Sequence, residues 1–134
     1  MATIRIETTI DAAPEDVWDA LRDFGALHTR LAPGFVIDTK LEGNDRLVTF
    51  FTGTTLRERL ISCDDEARRL AWTIVDGPYE HHSGAAEVHD DDGTTRFVWT
   101  SDLLPDAAAE PTRAMMQQGS QAIRRALESA RSAA

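Results

Sequence analysis

Glu58 is the side chain of this 134-residue sequence with the most chemistry open to it. It stands between Leu56 and Leu60 at alternate positions, an acid on an otherwise apolar stripe. Taking a carboxylate out of water is costly unless an arginine or a hydrogen-bond donor stabilises its charge. Two readings stand: a general base or acceptor for a ligand hydroxyl, and a structural carboxylate paired with arginine or reached by trapped water. His81 and His82 are neighbours in a strand pattern, so their rings point to opposite faces. Parity puts His82 inside with Glu58 and leaves His81 outside. The pair Glu58 and His82 is the candidate catalytic set for acid–base work, with binding or solvation as the other reading.

Other constellations carry less. His28, His82 and His89 have no recognised ligand spacing, so no metal is expected. "HDDDGTT" lacks the bidentate glutamate that closes a calcium loop and reads as a solvated hairpin turn. Ser120 in "QGSQA" lies inside a helical pattern rather than at a strand-to-helix elbow. There is no phosphate loop or dinucleotide fingerprint, and no cofactor is expected. Cys63 is the one cysteine, which excludes an internal disulfide and reads as a buried, inert thiol.

The elements that must position these residues follow from periodicity. Thr3 to Ile10 alternate as a half-buried strand. Pro14 opens a helix whose first turn carries Glu15 and Asp16, and Val17, Trp18, Leu21 and Phe24 form its apolar stripe. Gly25 stops it, and a second short helix spans about Ala26 to Leu31 before Pro33-Gly34. Turn signals then divide the chain into six strands at about 35–42, 46–52, 54–62, 68–76, 80–90 and 94–103, joined as antiparallel hairpins. After "LLPD" the period is helical to the end, with Met115, Met116, Gly119, Ala122, Ile123, Ala126 and Leu127 on the apolar face. The predicted class is α+β: a seven-stranded antiparallel curved sheet, two short N-terminal helices and one long C-terminal helix, in a single domain over residues 1–134.

One helix, about 10 Å across, cannot fill the concavity of such a sheet. A space of about 300 Å³, the low end of ligand sites, is expected between them. Either Trp72, Trp99 and the methionines fill part of it, or it exists to receive a ligand. If Asp92-Gly93 is a two-residue turn, Asp91 pairs with Thr94, Val88 with Phe97, Ala86 with Trp99 and Gly84 with Ser101. Leu70, Trp72 and Ile74 then share a face opposite Leu56, Glu58 and Leu60. In the next two strands Phe35, Ile37 and Leu41 are placed inside with Leu47 and Phe51, although the loop "EGND" allows a slip that substitutes Val48 and Phe50. The expected lining is Phe35, Ile37, Phe51, Leu56, Glu58, Trp72, Ile74, His82, Ala86, Trp99, Met115, Met116 and Gly119. A helix packed on the sheet with no cavity is the alternative for the helical members. Trp18 is expected to anchor the two short helices as a plug across the sheet edge and the long helix.

The opening "IETTIDAAPEDVWDALRDF", then "APGF", "RERLISCDDEARRLAWTIVDGP" and the closing "TRFVWTSDLLP" before a long helix resemble the START/SRPBCC superfamily over essentially the whole chain. These helix-grip proteins include lipid-transfer domains, birch-pollen-allergen-like proteins and polyketide cyclases. None of the motifs is a catalytic signature. The segment Glu58 to Gly77 also resembles the plant abscisic acid receptors, in which residues matching Glu58, Trp72 and Ile74 line the cavity. "FFTGTT" is too short for that family's gate loop, and its His-Arg-Leu latch is absent around Tyr79 to His81.

A formal charge of −9 repels nucleic acid and anionic membrane. No apolar run approaches a ~20-residue span, and "MATIRIETTI" enters strand pattern without a basic leader, so a cytoplasmic protein is expected. The reading that follows is a carrier or sensor of a small, mostly apolar molecule. The resemblance also permits a cyclase-like enzyme with Glu58 as base and His82 assisting, or a protein-interaction module.

Overall fold

In the computed structural model, which describes residues 1–75 and 77–133, the opening alternation becomes strand β1 (Ala2–Ile10), with Ile4, Thr8 and Ile10 buried. Helix α1 (Pro14–Arg22) begins at its proline and carries Glu15 and Asp16 in its first turn and Arg22 in its last, matching the helix dipole at both ends. Leu27–Leu31 form one π-helical turn, closed by the Ala32 N–H donating to the Leu27 carbonyl at 2.9 Å. Strands β2 (Val36–Glu42), β3 (Asp45–Phe50), β4 (Thr55–Asp64), β5 (Arg69–Ile74), β6 (His81–Asp91) and β7 (Thr94–Leu104) follow. A single 3-10 turn at Asp106–Ala108 leads into α2 (Ala109–Ala133). The expected strand 68–76 ends at Ile74, and Asp76 lies outside the described residues.

The seven strands form one antiparallel sheet in the order β1-β7-β6-β5-β4-β3-β2. Each consecutive pair from β2 to β7 is a hairpin, and β1 pairs with β7. Helix α2 packs against β1, β7 and the π-turn. This is the helix-grip arrangement expected from periodicity.

The β6–β7 register is the one a two-residue Asp92-Gly93 turn dictates: Asp91 opposes Thr94, Val88 opposes Phe97, Ala86 opposes Trp99 and Gly84 opposes Ser101. Across β4 and β5, Glu58 opposes Ile74 and Leu60 opposes Trp72. β2 and β3 take the alternative register. Glu42 pairs with Asp45 across Gly43-Asn44, a two-residue turn that puts Arg46, Val48 and Phe50 inward, with Val48 fully buried, and Leu47 opposite Lys40. A bulge between Val36 and Asp38 buries Val36 and leaves Ile37 54% exposed. Leu41, at the edge strand, is 56% exposed.

Trp18 is buried, and its Nε1–H donates to Asp65 Oδ1 at 2.9 Å, while Arg22 Nε reaches the same oxygen at 2.8 Å. The plug is therefore tied to the β4–β5 turn. Helix α1 packs on β6 and β7 rather than across the sheet edge, with its indole reaching the β4–β5 turn. The neighbouring arginine and this indole hold the Asp65 carboxyl below its usual range. Cys63 is exposed, contrary to expectation: a bulge between Leu60 and Ser62 breaks the strand's alternation just before it, near the same turn.

Two glycines make room for indole and phenyl rings. A Cβ on Gly84 would lie 2.6 Å from Cε2 of Trp72, and one on Gly119 would lie 2.9 Å from Phe35 and 3.0 Å from Trp99. Gly119 in a helix interior costs about 1 kcal/mol, and the rings that cover it explain why it is there. Gly84→Ala is expected to lower stability by about 1–3 kcal/mol through overpacking against Trp72, read as a lower midpoint in urea with an unchanged slope.

Candidate functional site

Arg46 and Glu58 are direct cross-strand partners on β3 and β4, both buried. Arg46 Nε donates to Glu58 Oε1 at 2.9 Å and its Nη2 lies 2.8 Å from the same oxygen. Its Nη1 donates to the Phe24 carbonyl at 3.2 Å, and the guanidinium carbon stands 4.0 Å from the centre of the Phe24 ring. Of the two readings of Glu58, the carboxylate paired with arginine is what the geometry displays. Arg46 was not among the expected lining residues. Its signal was parity with Val48 and Phe50, which only the alternative register brings inward.

Two small cavities lie between sheet and helix. One, of about 60 Å³, is bounded by Leu27, Leu31, Phe35, Arg46, Trp72, Ala86 and Phe97 among others. The second, of about 90 Å³, is bounded by Leu56, Ile74, Tyr79, His82, Ser101, Thr112, Met115 and Met116. Phe35, Phe50, Glu58, Trp72 and Trp99 line both and so form the partition between them. The interior is thus much smaller than the ~300 Å³ expected, because these aromatic rings fill the concavity. A groove of about 910 Å³ runs outside, between α1, the π-turn and the end of α2. Two of its arginines are already engaged, Arg30 by Asp19 and Asp23 and Arg131 by Asp11.

Of the expected lining, Phe35, Leu56, Glu58, Trp72, Ile74, His82, Ala86, Trp99, Met115 and Met116 border one cavity or both. Gly119 is buried beneath Phe35 and Trp99. Ile37 and Phe51 do not line the interior. The β2 bulge turns Ile37 out, and Phe51 falls just past the end of β3, 45% exposed with its ring 5.9 Å from that of Phe35. Phe50 takes the inner place, edge-on to Phe35 at 5.6 Å. Tyr79, Ser101 and Thr112 were missed; Tyr79 and Thr112 share a hydrogen bond at 2.7 Å, which joins the β5–β6 loop to α2.

His82 is buried and His81 exposed, as strand parity requires. The His82 ring lies 5.0 Å from that of Tyr79, and its Nδ1 has no hydrogen-bond partner. Burial pushes its imidazole down to about 4, with the neighbouring His81 adding to the shift. His82 is therefore neutral at pH 7. Trp99 Nε1 is also buried without a partner. Such groups are few in native proteins, and two on the wall of one cavity mark it as a place for a polar atom. Among the described residues no group of His, Cys, Asp and Glu side chains is arranged to hold a metal ion, and no helix is long and apolar enough to cross a membrane.

The family model for polyketide cyclase / dehydrase and lipid transport proteins matches residues 1–133. The chain belongs to that family. A search of the curated proteins gives no match. Among solved structures, XoxI from Bacillus cereus superposes with a TM-score of 0.84 at 22% identity, covering 95% of this chain and 96% of that one. A Thermobifida fusca protein is 32% identical, with a TM-score of 0.72 and coverage of 89% and 85%. Ara h 8.0201 gives 0.75 at 20% identity, covering 96% and 98%. These neighbours share the fold of this polyketide cyclase and lipid transport family member.

Arg46→Met should destabilise the protein by about 3–5 kcal/mol by stranding the Glu58 carboxylate, and adding Glu58→Leu should restore most of that loss in urea titrations. Because the folded imidazole of His82 binds its proton more weakly than the unfolded one, stability should be complete above pH 6.5. It should fall by up to about 3 kcal/mol as the pH drops to about 4. His82→Asn should flatten that slope, as measured by unfolding at a series of pH values.

Proposed function

We propose that this protein binds a small, mostly apolar molecule of lipid, polyketide or aromatic type in the interior between its sheet and α2, as a cytoplasmic carrier or sensor. The observation that carries this reading is the apolar interior beside Trp72, Trp99 and Met115, with two buried polar atoms, His82 Nδ1 and Trp99 Nε1, left without partners. Kept dry, the larger cavity alone would cost about 2 kcal/mol at the rate of engineered cavities, an expense that a bound molecule removes. Family membership supports ligand binding in general, and the scaffold leaves the ligand open.

Phe35, Leu56, Glu58, Trp72, Ile74, His82, Ala86, Trp99, Met115, Met116 and Gly119 are the residues proposed to shape the site. Arg46 takes Glu58 Oε1 through two of its nitrogens, which favours a role for the carboxylate in polarity and binding over proton abstraction. Native mass spectrometry of freshly purified protein should show a co-purifying adduct of low mass that is lost on mild activation. Tryptophan fluorescence should change when the stripped protein meets a panel of lipids, polyketides and simple aromatics. A bare mass together with a silent panel would overturn the reading.

A further inference from the structure

The interior restricts what can enter it, by charge and by size. Its titratable lining consists of Arg46, Glu58, Tyr79 and His82. Arg46 and Glu58 cancel one another at 2.8 Å, Tyr79 is hydrogen-bonded to Thr112, and burial keeps His82 neutral. Among the described residues no unpaired cation is left in the lining to receive a carboxylate or phosphate, and burying such an anion without one is prohibitive. The two cavities of about 60 and 90 Å³ flank the same rings. If the rings between them part, the space approaches the ~150 Å³ that holds a benzene-sized molecule in an engineered core. A long acyl chain has no room.

Resting on the ligand-binding reading above, we infer that the ligand is an uncharged, single-ring molecule carrying one hydroxyl or carbonyl oxygen. The ring lies among Phe35, Trp72 and Met115, and the oxygen meets the unpaired wall atoms, Trp99 Nε1 and His82 Nδ1. Tryptophan Nε1–H only donates, so it requires an acceptor, whereas neutral imidazole can give or take the bond according to its tautomer. A phenol or an aryl ketone satisfies these conditions; a fatty acid, a phospholipid or a benzoate does not.

Five probes test this by calorimetry and by amide chemical-shift changes: 4-ethylphenol, acetophenone, ethylbenzene, benzoate and palmitate. The oxygen-bearing neutral rings should bind about 5-fold or more tightly than ethylbenzene, the worth of one hydrogen bond, with benzoate and palmitate weakest. Trp99→Phe should erase the advantage of acetophenone and leave ethylbenzene bound at least as well. Equal binding of ethylbenzene and the oxygenated rings, or preference for benzoate or palmitate, would overturn the ligand class and leave cavity binding standing. Silence from all five, with no adduct in the native mass spectrum, would remove both. The comparison of probes on the unaltered protein holds whether or not the Trp99 variant folds.

Discussion

The pair formed by Arg46 and Glu58 sets the terms for the rest of the interior. The two residues are directly opposed on adjacent strands, so their contact exists in one register alone. A slip of one residue would carry Arg46 to the outer face and leave a carboxylate buried without a partner, an outcome costing several kcal/mol. An ion pair out of water contributes little net stability by itself, yet it penalises the wrong alignment heavily. Because its charges neutralise one another, the mostly apolar cavities beside it carry no net charge from the pair.

Around that pair the concavity is filled by rings rather than left open. Trp72 lies against Gly84, and Phe35 and Trp99 lie against Gly119, so two positions without side chains on opposite layers give the aromatic groups their places. The same packing reduces the interior to two chambers separated by those rings. Members of one superfamily can therefore keep a common frame and differ in capacity through the size of a few inward side chains. Fold alone does not say what such a protein holds.

Periodicity and turn chemistry made the element order, the strand pairing from β4 to β7 and the inward direction of Glu58, Trp72 and His82 legible in the residues. Asp92-Gly93 admits only a short turn, and alternation then propagates unambiguously. The β2–β3 hairpin was open to two alignments because both faces of β3 carry apolar groups: Leu47 and Phe51 on one, Val48 and Phe50 on the other. Only the tight turn at Gly43-Asn44 decides between them. Bulges are the second blind spot. Nothing local announces the ones that turn out Ile37 and precede the exposed Cys63, since a bulge is settled by curvature across neighbouring strands. Cavity volume was misjudged because it is a small difference between ring sizes and backbone spacing.

The pairing of β1 with β7 has a bearing on how the chain is made. Ile10 finds its neighbour at Thr95 and Ala2 at Leu103, so β1 is made before, and waits for, the strand it pairs with. The hairpins between them are local and can assemble during synthesis, whereas closure at this seam is a late, long-range event. Until then Ile4 and Ile10, which end fully buried, remain uncovered. In the nascent chain, β1 is therefore a segment that needs protection from other chains until β7 arrives.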